Sequence, residues 1–445
     1  MERTDHALAR QFTTASLLRF SLPNICMMVV MSLYTIVDGI FIARFTGTLE
    51  FSSINMSYPL QCLELAVGIM LGTGGSAIIA RELGEGKEQA AREDFTCIVA
   101  AAAVLGAVFL VLGNLFLEPI LQLLGTSAAQ MPSCRTYTGI LLWMAPAFFL
   151  QTVFLVLFVT AGKPGLGLKA TVGGGVVNMV LDFLFMGPLK MGIAGAALAT
   201  GLGYCVPAAA GLWYFCRRRE SPLYFVRFPV SWRMLLRSCG NGSSEMGSNI
   251  ANAVTTFLFN MIFMAFWGED GVAAICIVLY FQFVFTAVYS GFSMGVAPVI
   301  SYKYGEGDTA QLRQIFRSCM GFLAVCSVGM YLLSRLTVNQ CLSVFTSPGT
   351  AVYDIALDGF PLFALSFLFM GFNLFASALF TAFSNGTVSA VISFSHTLVF
   401  LLGTLLTFPW LFREPGIWLA VPAAEVLGVG VSVGFLVWGK RRYQY

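Results

Sequence analysis

Five carboxylates, Asp38, Glu64, Asp182, Glu245 and Glu425, stand inside long apolar runs, whereas all 25 lysines and arginines lie in polar connections or at the ends of such runs. An acid removed from water without a basic partner is costly, roughly 2.5–3.5 kcal/mol at a bilayer centre even on a lenient scale. It escapes that cost by binding a proton, binding a metal cation or facing a water-filled cavity, so each is a candidate carrier of a cation. Two of them converge in depth. Asp38 lies near the outer end of the first run (LYTIVDGIF) and Asp182 near that of the fifth (VVNMVLDFLF). At a helical rise of 1.5 Å per residue both sit roughly 6–9 Å below the same surface. Asn178 precedes Asp182 by four residues and shares its helix face, and Thr200, in GAALATGLG, lies at similar depth in the sixth run. Asp38, Asn178, Asp182 and Thr200 are therefore the candidate ion-coupling residues, for a proton or a small hard cation such as sodium. The competing account is a set of helix-packing hydrogen bonds, and Thr200 could simply bond its own helix.

Other chemistries lack their parts. No phosphate-binding G-x-x-x-x-G-K-[ST] occurs, so the loops LGEGKEQ and YGEGDTA are turns. The two histidines, His6 and His396, are too far apart in sequence for an i, i+3 metal pair. His396 alone is read as a hydrogen-bonded packing residue, with a proton relay as the alternative. Neither a nucleophile with its base nor a ligand cluster is present, so no enzyme and no cofactor are expected. Seven of the eleven cysteines lie in apolar runs without motif spacing and read as reduced packing groups. Most of the 41 phenylalanines and 19 methionines must face lipid. A net charge of +3 gives no argument for nucleic acid, and the polar N-terminus has no evident signal peptide.

The elements that must position these acids follow from composition. Hydrophobic residues make up 58% of the 445 and charged residues 11%, against about 45–50% and 25% in soluble domains. The chain is expected in a bilayer, as a multi-pass protein of the cell (inner or plasma) membrane. Apolar runs at 17–43, 52–80, 94–117, 136–161, 165–186, 192–215, 236–266, 271–301, 314–335, 353–382, 387–411 and 416–438 predict twelve spans. With the N-terminus inside, twenty of the lysines and arginines fall on the cytoplasmic side and five outside, which predicts that both termini are cytoplasmic. The basic connection 216–234 divides an N-terminal lobe, 1–215 (spans one to six), from a C-terminal lobe, 235–445 (spans seven to twelve). Gly47/Gly268, Gln61/Gln282, Gly84/Gly305, Gly86/Gly307 and Thr160/Thr381 all differ by 221. Six spans per copy make the repeat parallel, about an axis along the membrane normal. The expected fold is an all-α membrane protein of two pseudo-symmetric six-helix bundles.

Taken in order, the residues resemble the bacterial type of multidrug and toxic compound extrusion (MATE) transporter. They are Pro23, the Tyr34-x-x-x-Asp38-x-x-Phe41 pattern, Gly47, the glycine-rich close of span two, the Asn178/Asp182 pair and GAALAT in span six. The resemblance covers essentially the whole chain. It implies antiport, in which a proton or sodium gradient drives export of small organic, often cationic and amphipathic compounds, with no other cofactor. It also carries the family's first-lobe ion site onto Asp38, Asn178, Asp182 and Thr200. Glu245, in GNGSSEMGSN, matches a span-seven Glu that serves the second lobe in some members, as an ion or substrate site. Some of those members also use an Asp midway along span ten; here Asn373 stands there and Asp354 and Asp358 lie near the outer start, so the second-lobe site stays open. Adding 221 to Asp38 and Asp182 gives Phe259 and Gly403, so the first-lobe site has no copy.

The substrate cavity is expected between the lobes, lined by Gln61 and Gln282, with Tyr34, Tyr280 and Asn373 nearby and Glu64 holding a cationic substrate. These polar groups knitting helices together is the alternative. Pro23 removes a backbone hydrogen bond and is expected to let span one bend. Flippases for lipid-linked oligosaccharides in the same superfamily often line their cavity with Arg or Lys, which this chain lacks mid-span. A channel or receptor has no need of a cation carrier. The expected working unit is a monomer in the lipid bilayer.

Overall fold

The computed structural model describes residues 7–45, 48–217 and 221–445, and gives the backbone alone for 39–45, 48–53, 55, 56 and 344. His6, Gly47 and residues 218–220 of the expected linker lie outside the described residues, as does the Phe41 side chain. All regular structure among the described residues is helical: α1 Thr14–Phe45, α2 Thr48–Gly84, α3 Glu88–Leu115, α4 Leu117–Leu123, α5 Met131–Trp143, α6 Ala145–Thr160, α7 Pro164–Met186, α8 Gly192–Arg217, α9 Trp232–Glu306, α10 Thr309–Phe345, α11 Ala351–Phe363, α12 Phe367–Ala382, α13 Gly386–Phe394 and α14 Leu401–Tyr443. A helix satisfies every backbone polar group within its own segment, which lipid demands.

By length and apolar composition ten helices can cross a membrane, or eleven when α5 and α6, bent by 57° at their junction, count as one span. Twelve spans were expected, and the difference has a local cause. The expected spans seven and eight run together as α9, 75 residues long, which at 1.5 Å per residue is roughly 110 Å and far exceeds a bilayer of about 30 Å. Its backbone leaves the helix at Gly268, with φ 64° and ψ −147°, a conformation that glycine, lacking a Cβ, adopts most readily. Arg413, at φ 54° and ψ −133°, divides α14 in the same way. α1 runs through Pro23 without a break.

Aromatic residues fill three interiors. One gathers Phe95, Phe149, Phe154, Phe158 and Phe215 of the first half, and a second gathers Phe259, Phe263, Phe360, Phe367 and Trp418. The third lodges Leu8 and Phe12 of the N-terminal segment among Phe292, Phe375 and Phe380 of the second half. All eleven cysteines are free.

The 221-residue repeat reappears in how the helices touch. A side chain at Gly84 would strike the Tyr302 carbonyl, and one at Gly305 would strike the Arg81 carbonyl; 84 and 305, like 81 and 302, are one repeat apart. Gly74 meets Ser238 and Gly242, while its equivalent Gly295 meets Ser21 and Asn24. Thus α1 and α2 cross the two parts of α9 in matched, glycine-floored contacts. Gly86 and Gly307 take the same left-handed turn, at φ 76° and 75°. On this side Arg81 and Lys87 hold Glu85. Burial pushes that carboxyl up, but the hydrogen bonds from Lys87 and Arg81 outweigh it and leave it below the ordinary range.

Candidate functional site

Small residues let α1, α7 and α8 approach closely enough to bring their polar groups together. A Cβ at Gly203 would lie 3.1 Å from the Asn178 Cβ and 3.2 Å from the Gly174 carbonyl, and one at Gly175 would rest 3.6 Å from the Tyr34 ring. Through these contacts Asp38 meets Asp182, and their carboxyls face one another within hydrogen-bonding reach. Asp182 is fully buried. Asn178 lies beside it and donates through Nδ2 to Thr200 Oγ1 at 3.5 Å. The four expected ion-coupling residues therefore stand together.

A wider polar shell surrounds them. Tyr137 lies beside Gln61 and within electrostatic range of Asp38 and Asp182, and Tyr204 within electrostatic range of Tyr34, Tyr137, Asp38 and Glu64. A cavity of about 20 Å³, enough for a water molecule, is lined by Tyr34, Gln151, Thr171, Asn178, Thr200 and Tyr204 among others. Sequence reasoning missed Tyr137, Gln151, Thr171 and Tyr204. Helical spacing carried a signal for two of them, since Tyr204 follows Thr200 by four and Thr171 precedes Asn178 by seven, the same face in each case.

Seventeen buried side-chain polar atoms among the described residues lack a hydrogen-bond partner, and seven belong to this shell: Asp38 Oδ1, Gln61 Nε2, Glu64 Oε1, Thr171 Oγ1, Asn178 Oδ1 and both Asp182 oxygens. Buried polar groups are ordinarily paired. Five of these seven are carbonyl or carboxyl oxygens, and two facing carboxylates offer acceptors only. A proton between them, or a hard cation held by carboxyl, amide and hydroxyl oxygens, would supply the missing partner. Such a donor set fits either ion.

The residues expected to line the substrate cavity are scattered. Tyr34, Gln61 and Glu64 belong to the shell just described. Tyr280 is partly exposed on α9 and stacks on Phe345, and Gln282 is half-buried two residues further on. Asn373 is wholly buried on α12; its Nδ2 donates to Glu425 Oε2 at 2.6 Å and its Oδ1 accepts from Ser432 at 2.8 Å. Glu245 lies within electrostatic range of His396 and lines a second cavity, about 30 Å³, with Thr73, Ser76, Met294 and Thr381. His396, treated from sequence as a lone packing residue, has Nδ1 3.6 Å from Glu425 Oε1, so Glu425, contrary to the expectation for the embedded acids, has a basic group beside it. No cluster of three or more His, Cys, Asp or Glu able to hold a metal occurs among the described residues.

The MatE family model matches residues 23–184 and 246–427, one segment in each repeat and most of the chain. The chain belongs to the MatE family. Its matched segments contain every embedded acid of the chain except Glu245, which falls one residue before the second segment. This MatE transporter is 24% identical over 376 residues to the multidrug export protein MepA of Staphylococcus haemolyticus (strain JCSC1435), covering 80% of each chain. It is 23% identical over 350 residues to an FAD transporter of Shewanella oneidensis, covering 74% of each. A solved outward-facing structure of a multidrug resistance MATE family transporter of the MOP superfamily superposes with a TM-score of 0.90 at 21% identity, covering 98% of this chain and 97% of that one. The fold of the family is thus shared almost end to end, and the MatE chain is a multi-pass membrane protein.

Proposed function

We propose that this MatE chain is a cation-coupled antiporter, driven by H⁺ or Na⁺, that exports small organic and often cationic compounds from the cell by alternating access. One observation carries the reading: the Asp38 and Asp182 carboxyls face each other in a buried pocket beside Asn178, and among the described residues neither Asp182 oxygen is in a hydrogen bond of normal length. Two like charges so placed repel strongly in a low-dielectric interior, and a transported cation relieves that repulsion. The site thus has different free energies loaded and empty, which is what coupling requires. The names of the relatives point the same way, because multidrug export is the activity given for MepA.

Counting the two parts of α9 on either side of Gly268 separately, and α5 with α6 as one, gives twelve spans and returns both termini to the basic, cytoplasmic side. The lobes 1–215 and 235–445 then rock about the connection 216–234, at the cell membrane, with the chain acting as a monomer and needing no catalytic group. A flippase for lipid-linked oligosaccharides is disfavoured. The one fully buried lysine among the described residues, Lys303, is engaged by the Ala9 carbonyl and Glu306 and is not free to hold phosphates.

The deciding experiment is efflux of a fluorescent organic cation from proteoliposomes under separately imposed proton and sodium gradients. One of the two gradients drives efflux, and Asp38→Asn and Asp182→Asn abolish it at unchanged protein content. Full gradient-driven transport by both variants would overturn the reading.

A further inference from the structure

The second half holds a buried ionisable cluster that the coupling reading does not use. His396 is 3% exposed, and neither ring nitrogen has a hydrogen-bond partner. A buried imidazole with both nitrogens unpaired forfeits its hydration and gains nothing in return. Its Nδ1 stops 3.6 Å from Glu425 Oε1, slightly beyond hydrogen-bonding distance. Glu425 is itself held in place. Its other oxygen, Oε2, accepts from Asn373, whose amide oxygen accepts in turn from Ser432, all three being buried. The arrangement thus aims Oε1 at the imidazole.

Two features of the backbone make room for that contact. His396 sits in a π-helical turn, Ser395–Phe400, a rare and loosely wound geometry that recurs at functional sites. The facing surface of α14 is bare at Gly428, where a Cβ would come 2.8 Å from Asn373 Nδ2 and run into His396. Among the elements packed against this turn, α13 carries no titratable group. The part of α9 that faces it contributes Glu245, and α14 contributes Glu425. No lysine or arginine lies near these positions in sequence.

We propose that His396 and Glu425 form a second ion site, separate from the Asp38–Asp182 pair, that takes up and releases one proton. Without the proton the pair is a neutral imidazole beside a carboxylate, with a net charge of −1. With it the pair is an imidazolium hydrogen-bonded through Nδ1 to Glu425 Oε1, with net charge zero, and the slack in the π turn closes the gap. Glu245 is the entry: it lies within electrostatic range of His396 and lines the 30 Å³ cavity between α2, α9 and α12. Around it Ser244, Ser377, Thr381 and Ser389 share hydroxyl hydrogen bonds of 2.7–3.5 Å, a chain able to pass a proton by reorientation.

The test reads protonation directly and does not depend on transport, so its failure and the failure of the antiport reading are distinguishable. Replacing His6 by glutamine leaves His396 as the only histidine, and its imidazole ¹⁵N resonances are followed against pH in the full-length protein in nanodiscs. The expected result is a reversible change of these resonances with pH as the ring gains and loses its proton. Glu425→Gln moves the midpoint of that change by about one pH unit or more, a tenfold change in proton affinity, while Asp38→Asn leaves it in place. Glu425→Asp, which keeps the charge but withdraws it by one methylene, gives a smaller movement and serves if the glutamine variant fails to fold. A resonance that does not change with pH overturns the proposal. So does a midpoint indifferent to both substitutions at Glu425.

Discussion

At the scale of single residues, the proposed cation site depends on groups of unequal legibility. Asp38 and Asp182 stand out in the sequence because a carboxylate in an apolar run has few physical explanations. Tyr137 and Tyr204 do not, since an aromatic residue in such a run is ordinary and only the closed bundle brings both within electrostatic range of the acids. Gln61 illustrates the same limit. Its pairing with Gln282 in the repeat suggested a place in the substrate path, whereas its side chain lies beside Tyr137 in the first half, with Nε2 unpaired. Gln61→Ala is therefore expected to change the cation dependence of transport, seen as a shift of several-fold in the proton or sodium concentration for half-maximal efflux. An unchanged cation dependence with altered substrate preference would return Gln61 to the substrate path. His396 was under-read for a related reason: its sequence neighbours are apolar, and Glu425 lies 29 residues away on another helix.

At the scale of elements, glycine sets the distances. The reciprocal contacts of Gly84 with Tyr302 and of Gly305 with Arg81 leave no room for a methyl group, and overpacking of this kind costs roughly 1–3 kcal/mol. Gly84→Ala should accordingly depopulate the arrangement described here by about five- to a hundredfold. Spin-label distances between the basic ends of α2 and α9 will then lengthen, and unchanged distances would count against a tight contact. Helix termini obey simpler rules. Asp308 caps α10 by accepting the Gln311 N–H at 3.0 Å, and that bond, with the Gln11 amide, holds its carboxyl below the ordinary range. Asp308→Ala is expected to lower stability by roughly 0.5–2 kcal/mol in thermal unfolding. Because the carboxyl is depressed in the folded state, this contribution is present above the usual aspartate range and fades as pH falls through the lower folded value. The helical pattern and the repeat were legible in the sequence. So was the break in α9, since Gly268 falls between the expected runs 236–266 and 271–301.

At the scale of the molecule, rocking of one half on the other predicts that cysteine pairs across the outer ends of α1 and the first part of α9 crosslink in one state only. With the eleven native cysteines replaced, yield should respond to pH, sodium and substrate; a constant yield would sink the rigid-body picture. The halves are also tied by the N-terminal segment. Ala9 accepts from Lys303, the Phe12 N–H donates to Gln311, and Thr14 bonds Ser318, each across some 300 residues of sequence. That tie has a consequence for synthesis. Leu8 and Phe12 leave the ribosome well before the α9, α10 and α12 residues that form their pocket, and at ~5–20 residues per second a separation of some 300 residues or more delays docking by at least roughly 15–60 s. Through that interval the nascent chain carries an apolar strap with nowhere to dock, so its seating is among the last steps of biogenesis. A ribosome stalled shortly before Lys303 should leave the strap open to an added protease, and one stalled well after Ser318 should protect it.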